Sequence, residues 1–272
     1  MTAISGRCRG LPIYREARLR YLIAMADASS TGPALEFDAV SKTFGATPAL
    51  DDFSVAVRRG ELFALVGGNG AGKTTLIKCM LDFTAPDSGS IRIFGVPAST
   101  TASRADLAFL PERFNPPHYL TGRDFLRYMA ELHRNSYDEG EATRIFGRLD
   151  LAVSALERPA RTYSKGMTQK LGLAACLLSG KTLQVLDEPT SGLDPKARAL
   201  LKREMRRLRD AGRTIFFTSH ALADVQEICD RMAVLQNGRL MFAGTPAELM
   251  AKFGGANLEE AFLACIGEPV AA

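Results

Sequence analysis

Tryptophan is missing from this 272-residue chain, and histidine occurs only three times. Five cysteines (Cys8, Cys79, Cys176, Cys229 and Cys265) are scattered and odd in number, with no C-x-x-C spacing, which argues against a disulfide framework or a zinc site. A reducing compartment is the simple reading. Long apolar runs are missing too: stretches without a charged residue reach 11 residues, as in Ile93–Ser103, where a spanning helix needs about 18. An excess of one charge is confined to one place. Residues 1–24 hold five arginines against Glu16, and beyond them 29 basic residues face 29 acidic ones. The net charge of +4 therefore gives no electrostatic case for a nucleic-acid partner. With 46% hydrophobic and 24% charged residues the chain can bury a core, as one large domain or two small ones.

What is present is organised around Gly67-Gly68-Asn69-Gly70-Ala71-Gly72-Lys73-Thr74-Thr75, which fits the phosphate-binding pattern G-x-x-x-x-G-K-[ST]. The glycines let successive backbone N–H groups face inward as an anion nest. A helix starting near Gly72 directs its positive end at the same place. Lys73 is expected to reach the β- and γ-phosphates and Thr74 to offer its hydroxyl to Mg²⁺. A glycine-rich turn is the plainer alternative. Against it, the apolar run Glu61–Val66 reads as a buried strand and Thr75–Leu81 as a helix with an apolar stripe, the strand–loop–helix setting that a P-loop needs.

Along the chain, residues 1–33 read as a basic and polar extension without the apolar segment of a secretory signal. Met25 is the expected start, or residues 1–24 a loosely ordered tail, in preference to a membrane anchor. Strands are expected at Leu35–Val40, Ala49–Val57, Ser90–Phe94 and Ala108–Leu110, besides the P-loop strand. Apolar residues at helical spacing in Thr121–His133, Glu139–Leu149 and Lys165–Leu178 predict a helical insert over about residues 115–179. Strand and helix then alternate through Leu183–Leu186, Pro195–Asp210, Thr214–Thr218 and Ala221–Cys229, so a parallel sheet covered by helices follows. Asn237-Gly238 joins two short strands as a hairpin, and helices from Pro246 and Asn257 precede a tail at 268–272.

A P-loop needs an acidic residue at the end of a second strand, and Leu183-Gln184-Val185-Leu186-Asp187-Glu188 supplies one. Asp187 is the expected metal ligand. Glu188, next along the chain, is placed to polarise water for in-line attack on a γ-phosphate.

Together with Pro189–Asp194 and with Tyr163-Ser164-Lys165-Gly166-Met167 before a helix, these residues resemble the ATPase domain of ABC transporters over Leu35–Gly267. The resemblance implies an α/β P-loop NTPase with a mostly parallel core sheet, an N-terminal antiparallel β subdomain and an inserted α-helical subdomain, over about residues 34–267. It implies ATP and Mg²⁺ as ligands and a homodimer or heterodimer of ATPase subunits that sandwiches two nucleotides. In that arrangement Ser164, Lys165, Gly166 and Met167 close on the partner's γ-phosphate, and Ser191, Gly192, Leu193 and Asp194 form the loop at the dimer junction. Lys165 and Met167 stand where the usual signature has glycine and glutamine, a form similar to that of exporter ATPases with small membrane partners. Lys165 either adds charge near the partner's phosphate or faces solvent.

The resemblance also implies that Phe44 stacks on adenine, that His220 orients Glu188 at the γ-phosphate, and that Glu112 takes a glutamine's place beside the metal. Arg113–Leu120, with Phe114 and Tyr119, resembles the groove that receives a membrane subunit; a stiff loop packing on the insert is the plainer reading. A separate multi-span subunit would hold the chain at the cytoplasmic face of a membrane. A soluble ABC-type ATPase serving ribosomes, DNA repair or assembly is the alternative, although such proteins usually carry two ATPase units.

Overall fold

The computed structural model describes residues 32–267, so the expectations for the basic extension up to residue 31 and for the tail at 268–272 lie outside the described residues. The described residues form two sheets, helices that pack on them and an inserted group of helices. The first sheet is antiparallel, with β1 (Leu35–Phe44) between β2 (Thr47–Val57) and β4 (Ser88–Ile93), and the short β5 (Val96–Pro97) at its edge. The second runs in the order β10 (Arg239–Gly244), β9 (Arg231–Gln236), β3 (Leu62–Val66), β8 (Thr214–Ser219), β7 (Leu183–Leu186) and β6 (Leu107–Leu110). Its strands pair in parallel except for the β9–β10 hairpin.

β3 lies between β8 and β9, so both its faces are covered, and its uniform apolar sequence follows from that. Alternation divides the strand between two cores. Leu62, Ala64 and Val66 join the core under the helices, and Phe63 and Leu65 join the core shared with the antiparallel sheet. All five are at most 1% exposed, and each large side chain contributes about 1.5–3 kcal/mol by leaving water. The P-loop is therefore mounted on a strand buried at every position.

Helix α1 (Lys73–Met80) follows the P-loop directly, two residues earlier than its apolar stripe alone suggests. Gly72 is its N-cap, and the helix has no acidic residue in its first turn to offset the positive end. Three helices of the insert, α2 (Gly122–Leu132), α3 (Glu139–Arg148) and α4 (Lys165–Leu178), pack around Phe125, Ile145, Phe146 and Leu171. Their starts carry side-chain caps: Thr121, Asp138 and Ser164 each accept from a backbone N–H three residues on. α5 (Pro195–Asp210) and α6 (Leu222–Ile228) cover the core sheet, and α7 (Pro246–Phe253) and α8 (Leu258–Ile266) pack beside β10.

The hairpin turn at Asn237-Gly238 has positive φ at both residues, 48° and 77°, as a tight two-residue turn demands. It also braces the phosphate loop. Gly238 N donates to Ala71 O at 2.9 Å, and Asp51 N donates to Gly238 O at 2.9 Å. Arg239 adds two hydrogen bonds to Asp51 Oδ2. A hairpin far along the chain thus ties β2 to the loop before α1.

Candidate functional site

Three strand ends converge above the core sheet. β3 leads into the P-loop, β7 ends at Asp187-Glu188, and β8 ends two residues before Ala221 with His220 at its exit. β6 is in register with β7, Leu110 opposite Leu186, so Glu112 emerges beside Asp187. A cavity of about 580 Å³ opens between them, lined by Ala49, residues 68–75, Glu112, Asp187, Glu188 and His220. Ligands in α/β proteins sit at the carboxyl ends of strands in this way.

The loop's shape depends on residues without a Cβ. At Gly72, where φ is +113°, a Cβ would stand 2.5 Å from Ala49 O; at Gly67 it would stand 2.4 Å from Leu235 O. Only glycine allows β2 and β9 to press on the loop at that distance. Lys73 is 8% exposed, and its Nζ donates to Gly67 O at 2.6 Å and Gly68 O at 3.3 Å. The same ammonium stands 3.5 Å from Glu188 Oε1. A buried cation held over a nest of N–H groups at a helix start is arranged to receive an anion.

Opposite it stands a crowded acidic wall. Asp187 Oδ1 accepts from Thr218 Oγ1 at 2.6 Å, and Thr218 Oγ1 accepts from Glu188 N at 2.8 Å, so one threonine fixes both acids. Burial pushes the Asp187 carboxyl above the usual carboxylate range; the Thr218 hydrogen bond pulls it down, while the nearby charges of Glu112 and Glu188 push it further up. Glu188 has φ +48°, a left-handed backbone that costs a non-glycine residue about 1–3 kcal/mol. Its Oε2 lies 2.8 Å from His220 Nδ1.

The oxygen donors here suit a magnesium ion. Mg²⁺ takes one or two carboxylates and fills its octahedron with phosphates and water. Asp187, Glu112 and the Thr74 hydroxyl are the residues that could hold it, and among the described residues no cluster of three His, Cys, Asp or Glu could bind a metal unaided.

Gly68, Asn69, Gly70, Ala71, Gly72, Lys73, Thr74, Thr75, Glu112, Asp187, Glu188 and His220 are thus brought together. Gly67 contributes its carbonyl to Lys73 instead of lining the cavity. Phe44 is not among the lining residues: it is 51% exposed at the end of β1, with Lys42 Nζ 5.6 Å from its ring centroid. Ser164, Lys165, Gly166 and Met167 also lie outside the cavity, at the start of α4. There Ser164 Oγ accepts from Met167 N, and Met167 packs against the apolar core.

Lys165 is solvent-exposed, one of the two dispositions its sequence position suggests. Its side chain lies along Gly192, whose φ is +73° and whose absent Cβ would sit 3.0 Å from Lys165 Nζ. Of the neighbouring loop, Ser191 N bonds to Glu188 O, Leu193 is buried, and Asp194 caps α5 by accepting from Ala197 N at 2.9 Å. Phe114 packs edge-on against Phe125, 5.5 Å between centroids, while Tyr119 stays 71% exposed. Thr218 is the functional residue that sequence reasoning missed. Its signal was present: a polar residue in an apolar strand, two positions before His220.

The sequence matches the ABC transporter family over residues 50–191. It is 38% identical over 211 residues to an uncharacterised ABC transporter ATP-binding protein of Synechocystis, covering 76% of this chain and 59% of that protein. A cyanobacterial relative from Nostoc is likewise covered over only 61% of its length. With Nod factor export ATP-binding protein I of Rhizobium etli the identity is 36% over 235 residues, covering 84% of this chain and 73% of that one. Among solved structures, an ATP binding subunit of an ABC transporter superposes with a TM-score of 0.76 at 32% identity, covering 86% of this chain and 99% of that chain. The strand-end cavity, the two-sheet architecture with its helical insert, and these relatives lead to one assignment: the chain belongs to the ABC transporter family, as an ATP-binding domain of the P-loop ABC ATPase type.

Proposed function

We propose that the chain hydrolyses Mg·ATP and drives a separate membrane subunit, most simply for export. The observation that carries this reading is the meeting of Lys73, Asp187, Glu188 and His220 around one cavity. Lys73 and the P-loop amides bind and neutralise the phosphates. Thr74, Asp187 and Glu112 would hold Mg²⁺, which supplies charge neutralisation at the phosphate oxygens. Glu188, steadied by His220, orients the attacking water and holds its proton.

Two copies would sandwich two nucleotides, each offering Ser164–Met167 to the other's site, with Gly192 and its neighbours at the junction. The α4 N-terminus suits this role, because Gly166 leaves its backbone open and the helix end carries about half a positive charge. Phe44 would stack on adenine from the cavity's edge. The names of the Rhizobium and related proteins support export, and the absence of a long apolar helix among the described residues is consistent with a separate membrane subunit at whose cytoplasmic face the chain would sit.

The test is to purify Glu188→Gln protein from its host in mild detergent with Mg·ATP and identify what accompanies it. A polypeptide with several spanning segments is expected. Recovery of soluble partners only would overturn the transport reading in favour of a soluble ABC-type ATPase.

A further inference from the structure

We propose that Glu112 makes nucleotide binding conditional on a divalent cation, so that Mg·ATP is accepted and metal-free ATP is turned away. This rests on the reading of the cavity as an ATP site. The lining holds three carboxylates, Glu112, Asp187 and Glu188, against one ammonium, Lys73, a formal charge of −2 with His220 neutral. Lys73 is already shared with Glu188 at 3.5 Å. Asp187 receives a hydroxyl hydrogen bond from Thr218 but no ammonium at ion-pair distance, and Glu112 forms no side-chain hydrogen bond or ion pair among the described residues. Two carboxylates thus lack a cation, a deficit that one divalent ion would balance.

The sheet imposes this crowding. Asp187 N donates to Leu110 O at 2.8 Å, which locks the two strand ends together and leaves Glu112 two residues beyond. A neutral side chain at 112 would leave Asp187 and Glu188 facing the Lys73 ammonium and the helix start, a deficit of about half a charge where Glu112 makes it about one and a half. The carboxylate thus strengthens the repulsion. Free ATP carries a charge of about −4 near neutral pH and its magnesium complex about −2, so the repulsion falls mainly on the uncomplexed nucleotide. Glu112 is solvent-exposed, so its effect is screened by salt and moderate in size.

The experiment measures ATP binding to the full chain by calorimetry, in excess EDTA and in millimolar Mg²⁺. Glu112→Gln is expected to bind ATP about three- to tenfold more tightly than wild type in EDTA, with the gain shrinking as potassium chloride is raised. Glu112→Asp, which keeps the charge, should stay close to wild type. Unchanged or weaker binding of Glu112→Gln in EDTA would overturn the proposal, whatever happens with Mg²⁺; a loss confined to the Mg²⁺ arm would make Glu112 a metal ligand and nothing more. Lys73→Ala separates the two readings: if it binds ATP as wild type does, the cavity is not the nucleotide site, and the fault lies there instead of with Glu112.

Discussion

His220 Nδ1 stands 2.8 Å from Glu188 Oε2 while Lys73 Nζ stands 3.5 Å from Oε1, so the Glu188 carboxylate is held at both oxygens. The lysine contact will be contested once phosphate arrives; the histidine contact will not. His220→Ala should therefore leave ATP affinity within about threefold and lower turnover by about 10²-fold, the lower end of general acid–base help. Equal turnover in the two proteins, measured at saturating Mg·ATP, would remove His220 from the mechanism.

Thr218 carries a second load. Its hydroxyl is fully buried and joins Asp187 Oδ1 to Glu188 N. Thr218→Val keeps the shape and strands both partners, which should cost about 1–3 kcal/mol in denaturant unfolding. Thr218→Ser should restore most of it. Because Glu188 also holds a left-handed backbone, losing the bond to its N–H should lower turnover more than the stability change alone would suggest.

Within the phosphate loop, two glycines with positive φ give different expectations. A Cβ at Gly70 would meet nothing within 4 Å, so Gly70→Ala carries only the backbone penalty of φ +78°, about 1 kcal/mol. At Gly72 the Cβ would also strike Ala49 O at 2.5 Å. Gly72→Ala should abolish ATP binding and melt several degrees lower than Gly70→Ala. Equal behaviour of the two variants would contradict the close packing of β2 on the loop.

Much of this was legible in the sequence, for identifiable physical reasons. A glycine-rich loop between a five-residue apolar strand and a helix has few other uses, and the Asn237-Gly238 turn announces its hairpin through conformational demand. What escaped were relations that only the folded sheet creates. Gly238 bracing Ala71, and Gly67 pressed against Leu235, join residues more than 150 positions apart. Lys165 is another case: its stem rests on Gly192, a contact set by where β7 exits relative to α4. The strand at Leu35–Val40 proved longer, extending to Phe44, because pairing with β2 and β4 overrides the weak polar pattern of its second half.

The joint between the insert and the core carries a pH dependence. His133 caps α2, and burial, reinforced by the Lys181 ammonium, holds its imidazole pKa below the ordinary 6.5. A depressed pKa means the full contribution is present above 6.5 and declines below it, because the unfolded chain then takes up a proton that the folded chain refuses. Melting temperature should fall between about pH 7.5 and 5.5, and less so in His133→Asn. Parallel curves for the two proteins would show that His133 is not the group responsible.

The claim that matters most is that this cavity hydrolyses ATP with Glu188 ordering the water, and one comparison tests it directly. ATP turnover and ATP affinity are measured for the wild-type chain and for Glu188→Gln in Mg²⁺. The account predicts affinity retained within a few-fold and turnover reduced by about 10²- to 10⁴-fold. Near-normal turnover in Glu188→Gln would contradict it.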